Sequence, residues 1–443
     1  MSEMKTARKV PGRAGLAASG VVLALVLSAC GGGGADSGGA EAGSGTGAIT
    51  VWAHQGQDAE NAALQRAVKG FNSSQSEIKV SLKLLPTETY TSTVQATKAS
   101  GMPDVLEMDG PTMASYVYNN KISPIEDYVS VKTLSNQTEA AVNEGTYQGK
   151  RYGLAMYDSS VGLYADKKLL EKAGVSVPSG GKGWSAEQFT SVLKKLAAVT
   201  PGGKAMTAVG FGSEGGTYRY SPVVWSAGGD LLKDSKATGV LDSAPVVEAM
   251  KTFASWKPYV DPDADGNAFP KGRVALSWNG HWVYPTYKEA LGDRLTVVPL
   301  PDFGHGSKAG AGSWEWGISR SSKNAAAAGK FLDYLLGDAN VKAMTDANGA
   351  PPATRSVAAE STLYRKGGAL SVFADNLAAP CTSGAVDDAC RAVTRPVTPG
   401  YPVITSSFSQ ALLNIWGGAD PETELRKAAT VIDTDFADNA DYQ

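Results

Sequence analysis

The sequence predicts an α/β fold with two Rossmann-like lobes, and two observations lead to this prediction. The chain has 443 residues, and one hydrophobic core rarely grows that large, so we expect its residues to divide between two lobes. Residues 48–108 alternate strand-like and helix-like patterns in the order βαβαβ, which is typical of a parallel sheet with helices on its faces. Ligands of such sheets bind beyond the carboxyl ends of the strands.

Apolar periodicity defines the individual elements. In the first predicted helix, Leu64, Val68 and Phe71 recur at helical spacing. In a later helix, Ser185 is the expected N-cap and Gln188 completes a capping box. Strands or extended segments are predicted at 48–53, 77–84, 103–108, 152–156, 161–164, 273–278 and 295–298. Helices are predicted at 58–72, 87–100, 185–199 and 325–336.

The first segment of the chain resembles an export signal. Four basic residues precede an apolar run at 15–29, which is too short to span a membrane comfortably. The run ends in Leu-Ser-Ala before Cys30 and resembles the lipobox of bacterial lipoproteins, which implies cleavage before Cys30 and lipidation of its sulfur. The alternative is a plain cleavable signal beside an incidental cysteine.

The segment after Cys30 is predicted to be a flexible tether. Residues 31–47 are mostly Gly, Ala and Ser and contain nothing large enough to bury. No later stretch is long and apolar enough to cross a bilayer. We therefore expect an extracytoplasmic protein, lipid-anchored to the outer face of the cell membrane.

Composition argues against several kinds of partner. The chain has 41 Lys and Arg against 44 Asp and Glu, and loss of the basic leader makes the remainder more acidic, which argues against nucleic acid. Cys381 and Cys390 lie close together in an exported chain and predict a local disulfide. The three histidines have no metal-ligand spacing, so we expect neither a metal nor a cofactor.

Several motifs occur in an order that is more specific than any one of them. They are Pro-Asp-Val at 103–105, YQGKRYGL at 147–154, YADKKLLEKAG at 164–174, Gly-Trp at 183–184, FPKGRVAL at 269–276 and NGHW at 279–282. Together they resemble the extracellular solute-binding proteins of ABC importers, a family that includes the maltose-binding proteins. Ala165 and Asp166 depart from the family's usual Asn-Lys, and Trp184 lacks the preceding Thr.

This resemblance implies a periplasmic-binding-protein-like fold, with a central cleft and a hinge that closes on the ligand. It implies a monomeric binding protein rather than an enzyme. The expected ligand is a sugar, in particular an oligosaccharide, which is delivered to the permease subunits of an ABC transporter. The expected division is a signal peptide at 1–29, the lipidated cysteine and tether at 30–47, a first lobe at 48–155 and 299–353, and a second lobe at 156–298 and 354–443.

Aromatic residues are the first candidates for a sugar site, because a ring suits the apolar face of a sugar and polar side chains suit its hydroxyl rim. Trp282 occupies the stacking position of the family's N-G-x-W motif, which also contains Asn279. Trp278 ends a strand and is expected in the core. Trp314 and Glu315 are further candidates, although neighbours on a strand face opposite sides, so both cannot face the ligand.

Polar candidates follow the predicted first-lobe strands. His54 and Gln55 follow the first strand, and Asp109 follows the third. The alternative role for Asp109 is a helix N-cap before Pro111. Four more candidates come from the family layout, two before the helix that ends in Gly-Gly and two near the hinge: Tyr218, Tyr220, Arg355 and Tyr401.

Three other functions receive less support from the sequence: dinucleotide binding, calcium binding and glycoside hydrolysis. A dinucleotide-binding G-x-G-x-x-G motif is expected at a first βα turn, but the match at 210–215 falls in mid-chain. The acidic turn at 261–266 copies the start of a calcium loop, but Gly272 stands where the bidentate Glu belongs. A secreted glycoside hydrolase needs two carboxylates, and only Glu315 hints at one. A non-sugar solute such as a polyol or glycerol phosphate also stays open, although a phosphate would need convergent Arg or Lys residues.

Overall fold

The computed structural model of the protein describes residues 40–178, 181–212 and 214–442. Cys30, the predicted signal and most of the predicted tether lie outside these residues. The strands are β1 Gly47–Gln55, β2 Ile78–Pro86, β3 Val105–Asp109, β4 Ile122–Ser123, β5 Thr146–Tyr147, β6 Lys150–Arg151, β7 Leu154–Ala155, β8 Val161–Asp166, β9 Met206–Thr207, β10 Val260–Asp261, β11 Leu276–Gly280, β12 Leu295–Val298, β13 Ala309–Ala311, β14 Trp314–Ser319, β15 Pro380–Thr382 and β16 Ala392–Thr394.

The helices surround these strands on both sheets. They are α1 Asp58–Ser74, α2 Thr87–Ala96, α3 Met113–Tyr118, α4 Val131–Asn136, α5 Glu139–Glu144, α6 Lys167–Lys172, α7 Ala186–Ala197, α8 Glu214–Ser226, α9 Ala244–Ser255, α10 Tyr284–Leu291, α11 Ala325–Leu335, α12 Asp338–Asn348, α13 Arg355–Glu360, α14 Ser371–Leu377, α15 Tyr401–Gly417 and α16 Pro421–Asp438. None of those that the structure describes has both the length and the apolar character of a bilayer span.

The first lobe is built on a six-stranded sheet with the order β2-β1-β3-β14-β4, in which β7 also pairs with β14. β1 runs parallel to β2 and to β3, so the predicted βαβαβ unit is confirmed. β14 joins from far along the chain and runs antiparallel to β3. Helices α1 and α11 cover one face, where Phe71 and Phe331 meet edge to face above Val51.

The second lobe is built on a five-stranded sheet with the order β10-β9-β11-β8-β12. Its core is rich in aromatic residues, and the Phe253 ring contacts both Trp256 and Trp278 there. A small sheet of β13, β16 and β15 lies beside it, and a disulfide joins Cys381 to Cys390 across its end, as the sequence predicts.

The chain passes between the two sheets more than once. It leaves β7 for β8 through residues 156–160 and returns between β12 and β14. β13 pairs with β16 and contacts α8, so residues 309–311 belong with the second lobe although the predicted boundary gave them to the first. Val357 packs in the first-lobe core, whereas Phe373 packs against Tyr164 of the second lobe.

The predicted helix cap at Ser185 is confirmed, whereas two predicted elements have different bounds in the structure. The hydroxyl of Ser185 accepts from the Gln188 amide at 3.2 Å, and the Gln188 side chain accepts from the Ser185 amide at 3.0 Å. The strand predicted at 273–278 begins only at Leu276, because Arg273 follows a left-handed Gly272 and turns toward an acidic loop. The helix predicted at 87–100 ends at Ala96, four residues early.

Candidate functional site

A cavity of about 290 Å³ lies between residues of the two sheets. Segments that follow β1, β3 and β11 contribute to its walls, as expected for the carboxyl ends of strands in this fold. The start of α8, the segment between β13 and β14 and the residue after β16 complete it. The lining residues are His54, Gln55, Gly56, Gln57, Glu60, Thr87, Glu88, Thr91, Asp109, Tyr157, Ser159, Gly215, Tyr218, Arg219, His281, Trp282, Gly312, Ser313, Trp314 and Arg395.

Trp282 is a partly buried aromatic wall of this cavity. Its ring packs over Gly280, where a Cβ atom would lie only 2.0 Å from Cζ3 of the indole. The Tyr218 ring lies 6.3 Å away, and the Arg219 guanidinium lies 5.4 Å from the indole centroid. Gly280 therefore makes room for the orientation that Trp282 adopts.

Asp109 and Arg395 form a buried ion pair at the cavity wall. The guanidinium donates to both carboxylate oxygens, at 2.6 and 2.8 Å. The same guanidinium donates to the hydroxyl of Tyr401 at 2.8 Å and lies 4.9 Å from the ring centroid of Tyr218. Asp109 occupies the N-cap position of the short 3-10 turn that follows, as the alternative had it, but its side chain pairs with Arg395 and makes no cap hydrogen bond to that turn.

His54 combines a charge pair with an aromatic stack. Its Nδ1 lies 2.7 Å from a Glu107 carboxylate oxygen, and its ring lies 4.0 Å from the Trp314 ring with 11° between the planes. Burial alone would lower the pKa of His54, but the charge and hydrogen bond of Glu107 raise it to about 8. The imidazole is therefore mostly protonated at neutral pH.

Glu60 is held by groups from several segments. One of its oxygens accepts from the Tyr157 hydroxyl at 2.8 Å and from the Asn348 amide at 3.1 Å. His281 hydrogen-bonds the Asn348 carbonyl through Nδ1 at 3.0 Å, and burial lowers the pKa of His281 to about 4. This part of the wall thus carries a fixed carboxylate beside a neutral imidazole.

Arg219 brings a positive charge to the cavity beside Trp282. Its buried Nε atom meets no acceptor among the residues that the structure describes. Its backbone carbonyl accepts from the Trp278 indole at 2.9 Å, which places Trp278 in the core as predicted. A ligand that rests on Trp282 would lie beside the Arg219 guanidinium.

A group of buried carboxyls lies behind the segments that join the lobes. Burial raises the pKa of Glu315 to about 8 and the pKa of Asp158 to about 6. Burial together with the charges of Asp158 and Glu315 raises the pKa of Glu144 well above its usual range. Neither carboxyl oxygen of Glu315 has a hydrogen-bond partner in the described part of the chain.

The structure brings several predicted site residues together and places others outside the cavity. His54, Gln55 and Asp109 from the first lobe face Tyr218 and Trp282 from the second, with Trp314 beside His54. The predicted residues that do not line the cavity are Tyr220, Asn279, Glu315, Arg355 and Tyr401.

Each excluded residue has a local reason. Tyr220 is two positions from Tyr218 on α8, faces the core and donates to the Val209 carbonyl at 3.0 Å. Glu315 points to the face of β14 opposite Trp314 and packs against Gly153. Asn279 accepts from the following backbone amide at 3.0 Å.

The two hinge candidates also have partners elsewhere. Arg355 donates through Nε to the Gln137 carbonyl at 2.9 Å. Tyr401 is fully buried behind Arg395, so it supports the cavity wall without forming it.

Arg395 is one cavity residue that the sequence analysis missed. It follows the short strand β16, in a region without an aromatic motif. Its one signal is an arginine directly after an apolar strand, Ala-Val-Thr-Arg-Pro, which indicates a charge that the fold would bury. Tyr157 and Ser159 were also missed, although they lie in the segment predicted to join the lobes.

The acidic turn at 261–266 has its own counter-ion. The Arg273 guanidinium lies 3.4 Å from Asp261, 3.5 Å from Asp263 and 2.6 Å from Asp265. Among the described residues no group of His, Cys, Asp and Glu is arranged to hold a metal ion. The three aspartates that resembled the start of a calcium loop are thus paired with the side chain of Arg273.

Comparison with known proteins places this cleft in context. Residues 55–342 match the model of the family described as bacterial extracellular solute-binding protein. A putative binding protein of Brucella abortus is 23% identical over 82% of this chain and 87% of its own. A maltooligosaccharide ABC transporter solute-binding lipoprotein of Streptococcus pneumoniae is 23% identical, over 75% of this chain and 78% of its own.

Among solved structures, an ABC transporter solute-binding protein of Thermotoga lettingae bound with α-D-tagatose has a similar fold. Its TM-score is 0.74 at 24% identity, and the match covers 88% of this chain and 99% of that one. This similarity supports a fold of two lobes around a cleft.

Proposed function

Because the chain belongs to the bacterial extracellular solute-binding protein family, we propose that its cavity binds a sugar and that the loaded protein delivers it to an ABC importer. The observation that carries this proposal is the composition of the cavity. Trp282 and Tyr218 offer aromatic surface, whereas Glu60, Arg219 and Gln55 offer acceptors and donors around it. A sugar needs that combination, because its C–H face is apolar and its rim is a ring of hydroxyls.

The relatives support a sugar as the ligand class, and one of them supports an oligosaccharide. The pneumococcal relative is named for maltooligosaccharides, and the Thermotoga protein holds a single sugar, α-D-tagatose. The cavity's volume of about 290 Å³ is at the lower end of the usual range for ligand sites, about 300–1,000 Å³. We propose that one sugar unit sits against Trp282 and that further units extend toward the rim at Glu88.

Titration calorimetry with a small ligand panel tests this function. We expect maltotriose or α-D-tagatose to bind, and sorbitol and glycerol 3-phosphate to bind weakly or not at all. Bound ligand should also raise the melting temperature by mass action. Tight binding of glycerol 3-phosphate together with no response to a broad set of sugars would replace the proposal with a phosphate carrier.

The alternative of a phosphate or carboxylate ligand has one structural argument, since Arg219 and Arg395 both line the cavity. Asp109 already pairs with Arg395 and Glu107 with His54, however, which leaves Arg219, beside Glu60 and Glu88, as the further cation among the lining residues that the structure describes. One such cation does not form the convergent group that a phosphate requires.

We also propose that the protein is not a glycoside hydrolase. Such an enzyme needs two carboxyls on opposite sides of the bond that breaks. Glu315, the residue that suggested this activity, lies outside the cavity and is fully buried. The expected result is no release of reducing ends when the purified protein is incubated with maltotriose.

The anchor remains part of the proposal. The family is extracellular, so an extracytoplasmic location is expected, and the lipobox-like segment before Cys30 motivates lipidation. Cys30→Ala should abolish labelling with a fatty-acid analogue and release the protein from the membrane fraction. Unchanged labelling and membrane retention in that variant would contradict the anchor and leave sugar binding untouched.

A further inference from the structure

The side chain of Arg395 joins parts of the molecule that are distant in sequence. Its ion-pair partner, Asp109, ends β3 in the sheet of the first lobe, 286 residues away in the chain. Its other contacts, Tyr218 and Tyr401, begin α8 and α15 in the core of the second lobe. The pair therefore crosses between the lobes at the wall of the ligand cavity.

The geometry favours a persistent contact over an incidental one. The guanidinium and the carboxylate meet through two hydrogen bonds, and both side chains are more than nine-tenths buried. Two parallel N–H···O bonds restrict orientation as well as distance, so the pair fixes how the two lobes approach each other. Separating the lobes would expose the two charges of this buried pair to water.

We propose that Arg395 is a positioning residue, whose ion pair with Asp109 acts as a latch that holds the cleft closed and sets the place of Tyr218 in its wall. The inference rests on the proposed function, because it concerns closure of the same cleft. The Asp109–Arg395 pair would hold the cleft closed through a contact within the protein, in addition to the contacts that a bound ligand makes with both lobes.

The latch has a thermodynamic consequence for binding. When a ligand binds only the closed form, its apparent affinity is its affinity for that form multiplied by the fraction of molecules that are closed. A contact that closes the cleft before the ligand arrives removes part of that reduction. Loss of the latch should therefore weaken binding even where neither residue touches the ligand.

Small-angle scattering of the protein without any ligand tests the latch directly. Arg395→Met and Asp109→Asn should each increase the radius of gyration, and the double variant should resemble either single variant because the pair is one interaction. Arg273→Met is the matched control, because it removes an arginine from three aspartates within one lobe. That control should leave the radius of gyration unchanged.

Binding provides the second measurement. With maltotriose as the probe, each latch variant should bind about tenfold more weakly and show a larger decrease in the radius of gyration on saturation. A charge-reversed pair, Asp109→Arg with Arg395→Asp, should restore part of the compaction that either single change loses. This rescue separates a latch from a general loss of stability and provides a test if Arg395→Met does not fold.

The outcomes are distinct. An unchanged radius of gyration in unliganded, folded Arg395→Met and Asp109→Asn overturns the latch, whatever the ligand is. Loss of affinity in Arg395→Met alone, with Asp109→Asn at wild-type affinity, also overturns it and assigns Arg395 a direct ligand contact. Failure of every sugar to bind contradicts the proposed function, but the measurements on the unliganded protein still decide the latch.

Discussion

The imidazole of His54 covers one face of the Trp314 indole, with the ring centroids 4.0 Å apart. Tyr90 meets the same indole edge to face at 5.5 Å. Two of the approaches to Trp314 are thus occupied by the protein. Trp282 is met edge to face by His281 at 5.3 Å and has Tyr218 and the Arg219 guanidinium nearby, but no ring of the described residues stacks parallel on it. Trp282 is consequently the better platform for a sugar.

Trp282→Ala should weaken sugar binding by about thirtyfold, or about 2 kcal/mol, because it removes the main aromatic anchor. The melting temperature without ligand should change little, since the ring is only partly buried. Trp278→Ala is the control: it removes a fully buried indole from the core and should cost about 3–5 kcal/mol of unfolding free energy. Calorimetry and denaturant unfolding of both variants separate the roles, and wild-type affinity in folded Trp282→Ala would refute the assignment.

Gly280→Ala should weaken binding without removing any ligand contact. The new Cβ would lie 2.0 Å from the Trp282 ring, so the indole must move. We expect affinity to fall by about tenfold, or about 1.4 kcal/mol. Gly417→Ala is a matched control, because nothing lies within 4 Å of its Cβ position. If calorimetry gave equal affinities for the two variants, the position of the Trp282 ring would not matter for binding.

The His54–Glu107 pair predicts a loss of stability as pH rises. The folded-state pKa of His54 is about 8, above the ordinary value of about 6.5, so the pair's contribution is complete below pH 6.5 and is lost as pH rises through 8. The expected change is about 2 kcal/mol. Urea unfolding from pH 6 to 9 measures it.

Replacing both partners, His54→Gln with Glu107→Gln, should make this part of the profile less steep without leaving a buried charge unpaired, and Glu315 accounts for the decline that remains up to pH 8. His281 provides an internal reference, since its lowered pKa of about 4 affects stability only below pH 6.5. If the unfolding free energy of the double variant fell as steeply between pH 6.5 and 8 as that of the wild type, the decline would not come from the His54–Glu107 pair.

Glu315→Gln should make the protein more stable at pH 8 and above. Burial raises the pKa of Glu315 to about 8, so its favoured form in the folded protein is neutral, and stability is lost as pH rises from about 4.5 through 8. The amide has nearly the same shape and never ionises. Unfolding free energies of wild type and variant should therefore agree near pH 5 and diverge by pH 8, and a variant less stable at pH 8 would contradict this account.

Periodicity predicted the elements whose pattern is local. β1, α1 and β2 form within a few residues of their expected bounds, and Ser185 caps its helix. Trp282, at the stacking position of the family motif, lines the cavity, and its contact with a sugar stays a prediction. These features depend on neighbours in the sequence, which is why the sequence contains enough information to predict them.

The rest depends on contacts between distant segments. The pairing of Asp109 with Arg395 spans 286 residues, and nothing near either residue specifies it. Tyr220 was predicted with Tyr218, but two residues on a helix lie about 200° apart and cannot share a face. Trp314 and Glu315 face opposite sides of β14, as the sequence analysis expected. The sequence did not decide which of the two sides meets the ligand.

The Arg273 guanidinium among three aspartates has a consequence for the conditions in which the protein folds. The loop contains a positive charge of its own, within 3.5 Å of each of the three carboxylates. The arginine is fixed in the chain and cannot dissociate or be removed by a chelator. The charges of the acidic turn between β10 and β11 are therefore balanced from within the same chain, by a group that stays with the protein when the external medium changes.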